Sequence, residues 1–322
     1  MSIEKSVFLP IDPEAAFELV TRPDRLRRWQ AVAARMDLRA GGEYRWTVTP
    51  GHSAAGTIKE VDPGKRLVFD WGWEGSDSAA STVTITLEPA DGGTRLTLVH
   101  EGLAAGEVAG HTEGWNHFLE RLVRLATDGD AGADDWAAVP DPLNELASAE
   151  ATLAVVQRVL HQLKPADHGL PTPCENFSVT QLLDHLVGSV HGIGKALGLQ
   201  LLDDPSAPAE ARVADAAQAT LEALTRRGLE GTIDMGFARL PAAIVANILN
   251  LEFLVHAWDL ATATGQTLQV HPGLSEYVLG LARNTISPKM RGNSFADETL
   301  VEESAASLER LVAFTGRSVA AR

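Results

Sequence analysis

The sequence predicts an α+β chain of two units: a curved antiparallel sheet closed by a long helix over residues 1–127, then an all-α bundle over residues 142–322. Three observations carry this prediction. Period-two alternation of apolar and polar residues is confined to the first part, and helical spacing takes over from Glu113 onward. Between the two lies DGDAGADDWAAVPD, residues 128–141, with five aspartates and no basic side chain, read as a solvated linker. The length of 322 residues agrees, because domains usually run to roughly 100–200 residues.

In the first unit, Lys5 to Leu9 alternates and stops at Pro10. DPEAAFELVT then suits a short helix, with Asp12 as cap and Pro13 at the first helical position. After the turn at Gly41-Gly42 come EYRWTVTP, TIKEV, RLVFDWGW, STVTITLEP and TRLTLVHE, separated by DPGK, GSDS and DGGT turns. Such closely spaced strands form an antiparallel meander. Trp115, Phe118, Leu119, Leu122 and Leu125 then fall on one face of a closing helix. In the second unit, Asp141 and Pro142 open a helix that runs from Leu143 to Leu163 and is stopped by Pro165. Ser178 and Gln181 form a capping box for the next, with Phe177 and Leu182 at hydrophobic-staple positions. Further helices are predicted from Pro208 to Arg227, from Pro241 to Thr264 with Gly265 as terminator, after Pro272, and from Glu302 to Phe314. TIDMGF is a short extended piece among them.

Composition excludes several classes. A single cysteine allows neither an intrachain disulfide framework nor a cysteine-based metal cluster. The N-terminal MSIEKSVFLPID lacks the apolar run of a signal peptide, and no stretch reaches about 18 uninterrupted apolar residues, so a cytoplasmic protein with no membrane partner is expected. A net charge of −16 argues against nucleic acid, which needs clustered Lys and Arg. Residues 1–127 hold 14 basic and 18 acidic side chains, leaving 13 and 25 for the rest, so the second part carries most of the negative charge. GxGxxG and Walker patterns are absent from the chain.

The sharpest chemical feature is Glu252 and His256 in LEFLVHAWDLA. Four residues apart on a helix, they share one face with Val245, Ile248, Leu249 and Asp259. A charged Glu on an inward stripe is costly unless paired or metal-bound. His185, flanked at helical spacing by Gln181, Leu182, Gly188 and Ser189, lies on a small, semi-polar face that another helix could approach. Two imidazoles and one carboxylate make a three-ligand site with open positions, suited to Zn²⁺, Ni²⁺ or Fe²⁺. The competing reading is a satisfied buried ion pair between Glu252 and His256; HExxH is absent, and spacing does not decide between the two.

Other candidates are weaker. Asp259 could orient a ligand histidine through its second ring nitrogen or pair within its own helix. Cys174 precedes a helix start, and an inert small hydrophobe is the favoured reading. His161, His168 and His271 have no partner at ligand spacing, and His111 and His117 flank the start of the long helix without being read as a site. In the first unit, Trp71 and Trp73 share a strand face in phase with Phe69. Such aromatics either line a ligand cavity or fill the core, and packing is the default.

Family resemblance adds what spacing does not supply. PEAAFELVT, RPDRLRRW, RAGGEYRW, GTIKEVDPGKRLVFDWGW, GGTRLTLVHEGL and GWNHFLERL resemble the Hsp90-ATPase-activator-homologue branch of the START/Bet v 1-like (SRPBCC) superfamily. That resemblance implies a helix-grip fold with a cavity between sheet and helix, and it does not by itself imply a chaperone role. TPCENFSVTQLLDHLVG, NLEFLVHAWDLATATG and SFADETLVEESAASLERLVAFTGR resemble the DinB-like, mycothiol-dependent maleylpyruvate isomerase type of metal-binding domain. There a histidine on the second helix joins an ExxxH pair, positions that match His185, Glu252 and His256. The resemblance implies a divalent metal, Zn first with Ni or Fe as alternatives, and mycothiol or another low-molecular-weight thiol as cofactor. The expected activity is thiol-dependent isomerisation or transfer on a small electrophile. The alternative is a non-enzymatic protein that binds a small hydrophobic ligand and carries a structural or vestigial metal. A small molecule is the expected partner, and homodimerisation is left open.

Overall fold

The computed structural model describes residues 1–174, 177–292 and 295–319; Glu175, Asn176 and Ser294 of the motifs above, and the chain end at 320–322, lie outside the described residues. The chain divides into two compact units, 1–134 and 135–322.

Unit 1 begins with β1 (Ser2–Leu9), α1 (Pro13–Thr21) and α2 (Pro23–Leu26). The strands β2 (Ala33–Met36), β3 (Glu43–Thr49), β4 (His52–Asp62), β5 (Arg66–Trp73), β6 (Ser81–Ala90) and β7 (Gly93–Glu101) follow, then α3 (Val108–Asp128). All seven strands pair antiparallel in the order β1-β7-β6-β5-β4-β3-β2, so the first strand closes against the last, with Val7 opposite Leu96. Asp12 caps α1 as the sequence predicts, its carboxylate accepting from the Ala15 amide at 2.8 Å. Alternation then sets the layers: Leu67, Phe69 and Trp71 of β5, Val83, Ile85 and Leu87 of β6, and Leu96, Leu98 and His100 of β7 are buried. The predicted face of α3 is buried with them. This is the mixed α+β, helix-grip arrangement expected of the first unit.

Aromatic rings occupy the space between sheet and helix. Tyr44 and Trp46 stand 4.6 Å apart by ring centroids, Trp46 and Phe69 5.3 Å, and Trp71 and Trp115 5.4 Å. The rings pack on one another, as the packing default expects.

Two local expectations need correction. β2 escapes the sequence reading because four residues, AARM, are too few to show a period. β4 starts at His52 rather than Thr57, since the small residues of SAAG hide the alternation and the register shifts between Ile58 and Glu60. The acidic segment is also more structured than a solvated tether. Arg121 donates to the carbonyls of Ala133 and Gly132, and His117 lies 2.9 Å from Asp134.

Unit 2 contains α4 (Asp135–Ala138), α5 (Glu145–His161), α6 (Val179–Ala196), α7 (Ala209–Arg227), α8 (Ala242–Thr264), α9 (Pro272–Thr285) and α10 (Ser307–Phe314). It is not wholly α: TIDMGF and the residues after it make a small hairpin, β8 (Thr232–Asp234) with β9 (Arg239–Pro241). The capping box of α6 is formed, Ser178 N donating to Gln181 Oε1 at 2.9 Å. α5 is capped by Asn144 instead of opening at Asp141, the Asn side chain accepting from the amides of Leu146 and Ala147. α10 starts at Ser307, five residues later than predicted. α8 is the central helix. It is long and apolar enough to cross a membrane by length and composition, but 72% of its most apolar stretch is buried inside the protein. Buried residues surround it, from Val245 and Leu249 to Phe253, Leu254 and Leu260, so it has no single apolar stripe.

Candidate functional site

His185 on α6 and Glu252 and His256 on α8 come together. Glu252 Oε2 lies 3.5 Å from His185 Nε2 and 3.4 Å from His256 Nε2. Ligand-type atoms of the three residues all lie within 4.8 Å of one another. The one-turn offset on α8 stacks Glu252 and His256, and the capped start of α6 brings His185 across to them. Its imidazole stacks on Phe177, ring centroids 5.3 Å apart at 28°, and meets His256 edge-on at 5.3 Å. Phe177 thus braces a site residue as well as serving as the helix staple.

Glu252 Oε2 is buried and accepts no hydrogen bond. Nothing about an ion pair requires that. At 3.4 and 3.5 Å the two imidazole nitrogens stand beyond the usual charge-assisted hydrogen-bond length of roughly 2.7–2.9 Å.

Behind His256 lies a second layer. Its Nδ1 is 3.0 Å from Asp259 Oδ2, and Asp259 is completely buried. Arg317 grips the same carboxylate with both arms, Nε to Oδ1 at 3.2 Å and Nη2 to Oδ2 at 2.8 Å. Asp259 therefore pairs within its own helix, and its partner there is His256. Arg317 is a participant the sequence reading missed. It is 58 residues away, in a TGR tripeptide that carries no spacing signal toward α8. Cys174 also approaches, its sulfur within 4.8 Å of ligand atoms of His256 and Asp259. Burial pushes its thiol up, against the pull of Arg317, which suits the inert reading.

The electrostatics follow from this crowding. Burial pushes Glu252 up, but His256, His185 and the Ser189 hydroxyl outweigh it and hold the carboxyl below its ordinary value. Burial likewise pushes His256 down, yet Asp259 and Glu252 prevail and raise it to about 9. His185 has one carboxylate near it and is lowered, chiefly by burial. Its side chain remains 40% exposed, against 8% for His256 and 16% for Glu252, so the cluster opens toward solvent on the α6 side.

The remaining histidines are placed elsewhere. His161 meets Glu210 of α7 at 3.3 Å, a pairing between helices that spacing along one helix does not reveal. His168 contacts Thr180, and His271 caps α9 by accepting from the Gly273 amide. In unit 1, His100 is buried with Trp115 Nε1 donating to its Nδ1 at 3.0 Å and Ser81 Oγ 2.7 Å from its Nε2. His111 meets Trp73 Nε1 at 3.3 Å.

The molecule therefore joins a helix-grip domain to a helical bundle that carries a carboxylate–bis-imidazole cluster. Residues 10–127 match the family described as activator of Hsp90 ATPase homolog 1-like protein, so the N-terminal unit is an SRPBCC-type domain of that kind. The chain is 31% identical over 156 residues to two proteins of Mycobacterium tuberculosis, the uncharacterized proteins MT0763 and Rv0738, covering 47% of this chain and 85% of each of them. The chain belongs to the same family as these two proteins. Among solved structures it is similar to DynU16, a putative protein in the dynemicin biosynthetic locus. The identity is 27% and the TM-score 0.39, covering 42% of this chain and 51% of that one.

Proposed function

We propose that unit 2 is a DinB-like domain holding one divalent metal through His185, Glu252 and His256, and that it serves a thiol-dependent isomerase or transferase of the mycothiol-dependent maleylpyruvate isomerase type. One observation carries the reading: the orphaned Glu252 Oε2, 3.5 and 3.4 Å from two imidazole nitrogens. A tetrahedral ion with bonds of about 2.0–2.1 Å keeps its ligand atoms roughly 3.3–3.4 Å apart, so a gap long for a charge-assisted hydrogen bond is the right width for shared ligation. The donor set, two neutral-capable imidazoles and a carboxylate, suits zinc, with nickel or iron as alternatives. A divalent ion there supplies Lewis-acid polarisation and favours the thiolate form of a low-molecular-weight thiol.

The chain's own residues set the terms. Asp259 takes the Nδ1 proton of His256 as a hydrogen bond and leaves Nε2 free to ligate. The exposed edge of His185 leaves an approach for a small electrophile, and Phe177 holds that imidazole in place. The N-terminal domain is proposed to bind a small hydrophobic ligand, and the whole is proposed to work in the cytoplasm.

A second reading has its own support: His256, raised to about 9 between two carboxylates, makes a charged buried pair without any metal. Elemental analysis separates the two, using protein purified without nickel affinity and a His185→Ala, His256→Ala double variant. About one equivalent of transition metal, lost in the variant, supports the proposal. Folded wild type that takes up none after incubation with zinc, nickel or iron favours the ion pair.

A further inference from the structure

Two donor sets overlap at His256. One is His185, Glu252 and His256, joined through Nε2; the other is Cys174, His256 and Asp259, in which Asp259 faces the Nδ1 of His256. In each set the ligand-type atoms lie within 4.8 Å of one another. The second set contains a thiol, and a thiolate is a softer and stronger zinc ligand than a carboxylate. Left alone, it would compete for the metal.

What distinguishes the sets is Arg317. Its guanidinium covers both oxygens of Asp259, and Oδ2 also faces His256 Nδ1. A cation approaching Asp259 would meet a fixed positive charge beside a carboxylate whose two oxygens already face Arg317 and His256. Glu252 has no such cover, and its Oε2 is bare. Arg317 is itself held by the Thr315 carbonyl at 3.0 Å, in the turn that follows α10. The guanidinium is therefore anchored by the C-terminal segment, independently of α6 and α8.

We infer that Arg317 is a positioning residue that occupies Asp259, turns His256 toward Glu252, and keeps metal off the Cys174 side. The inference rests on the metal reading of the preceding subsection. It predicts that the choice between two donor sets sharing His256, with carboxylates seven residues apart on one helix, is made by a residue that touches neither the metal nor substrate.

The test uses cobalt(II) bound to the full-length protein, read by absorption spectroscopy and by chelator competition. Wild type should bind one cobalt with no thiolate-to-cobalt charge-transfer band. Arg317→Gln should bind cobalt at least tenfold more weakly at the histidine–carboxylate set and should show that band. The band should vanish in Arg317→Gln, Cys174→Ser. Arg317→Lys, which keeps a charge on Asp259, should restore the band-free spectrum. Arg317→Gln with the wild-type spectrum, whether its affinity is unchanged or reduced, overturns the inference. Should Arg317→Gln fail to fold, Asp259→Asn replaces it: a tenfold or greater loss of affinity is expected, and unchanged affinity overturns the inference. Wild type that binds no cobalt refutes the metal reading itself, a result distinct from all of these.

Discussion

Two buried histidines, one in each unit, are handled in opposite ways. His100 lies in the sheet domain among neutral partners. Trp115 donates to Nδ1, Nε2–H reaches Ser81 Oγ, and that hydroxyl passes its own proton toward the Trp71 carbonyl at 3.2 Å. Burial drives this imidazole down to about 4. His256 is buried too, but between Glu252 and Asp259, and it is raised to about 9. Desolvation is the largest influence on both, so the difference comes from the neighbours. Where every polar atom has a neutral partner, burial produces a structural core residue. Where two carboxylates converge and one oxygen is left bare, the arrangement is costly for the fold and fit for a ligand.

Substitutions and pH should separate the two histidines by effects of decreasing size. Glu252→Ala should weaken metal binding by more than roughly 100-fold, beyond the usual loss from a supporting residue, when followed by chelator competition. Retained affinity would place the metal elsewhere. Next comes acid. His100 has a folded value of about 4 against an unfolded value of about 6.5, so the unfolded chain binds more protons between those limits. Its contribution to stability is whole above pH 6.5 and is lost as pH falls toward 4, about 3 kcal/mol in all. Denaturant unfolding of wild type and His100→Phe across that range should show the acid slope shrinking in the variant. In metal-free protein the contribution of His256 has the opposite sign, present below its unfolded value and lost as pH rises through about 9.

Smaller effects sharpen the same contrast. Ser81→Ala removes the acceptor of His100 Nε2–H and leaves a buried donor unpaired, at a cost of about 2 kcal/mol in unfolding free energy. It should leave metal binding untouched. Phe177→Ala removes the ring stacked on His185 and should weaken metal binding about two- to fivefold, in line with about 0.5–1 kcal/mol for such a contact. A fall in fold stability without a change in affinity would make Phe177 a staple only.

Much of this was legible in the sequence, and what was not has physical causes. The period-two runs from Glu43 to Glu101 gave the meander because an antiparallel sheet with one buried face enforces alternation. Capping chemistry at Asp12 and Ser178 located two helix starts because short-range hydrogen bonds depend on local sequence. The Glu252–His256 face follows from the pitch of a helix, whereas bringing His185 to it depends on tertiary packing, which the family resemblance anticipated and periodicity did not. Arg317 and the pairing of His161 with Glu210 stayed hidden for the same reason: each contact crosses between segments far apart in the chain. Asn144 displaced Asp141 as a cap because several adjacent residues could serve, and sequence alone does not rank them.

Anomalous diffraction at the zinc edge, from crystals of the whole chain grown with zinc, would locate the metal. One peak is expected, bonded to Nε2 of His185, Nε2 of His256 and Oε2 of Glu252, with Asp259 held by Arg317 behind it. A well-ordered cluster without a peak, or a peak ligated by Cys174 and Asp259 in the wild-type chain, would contradict that assignment.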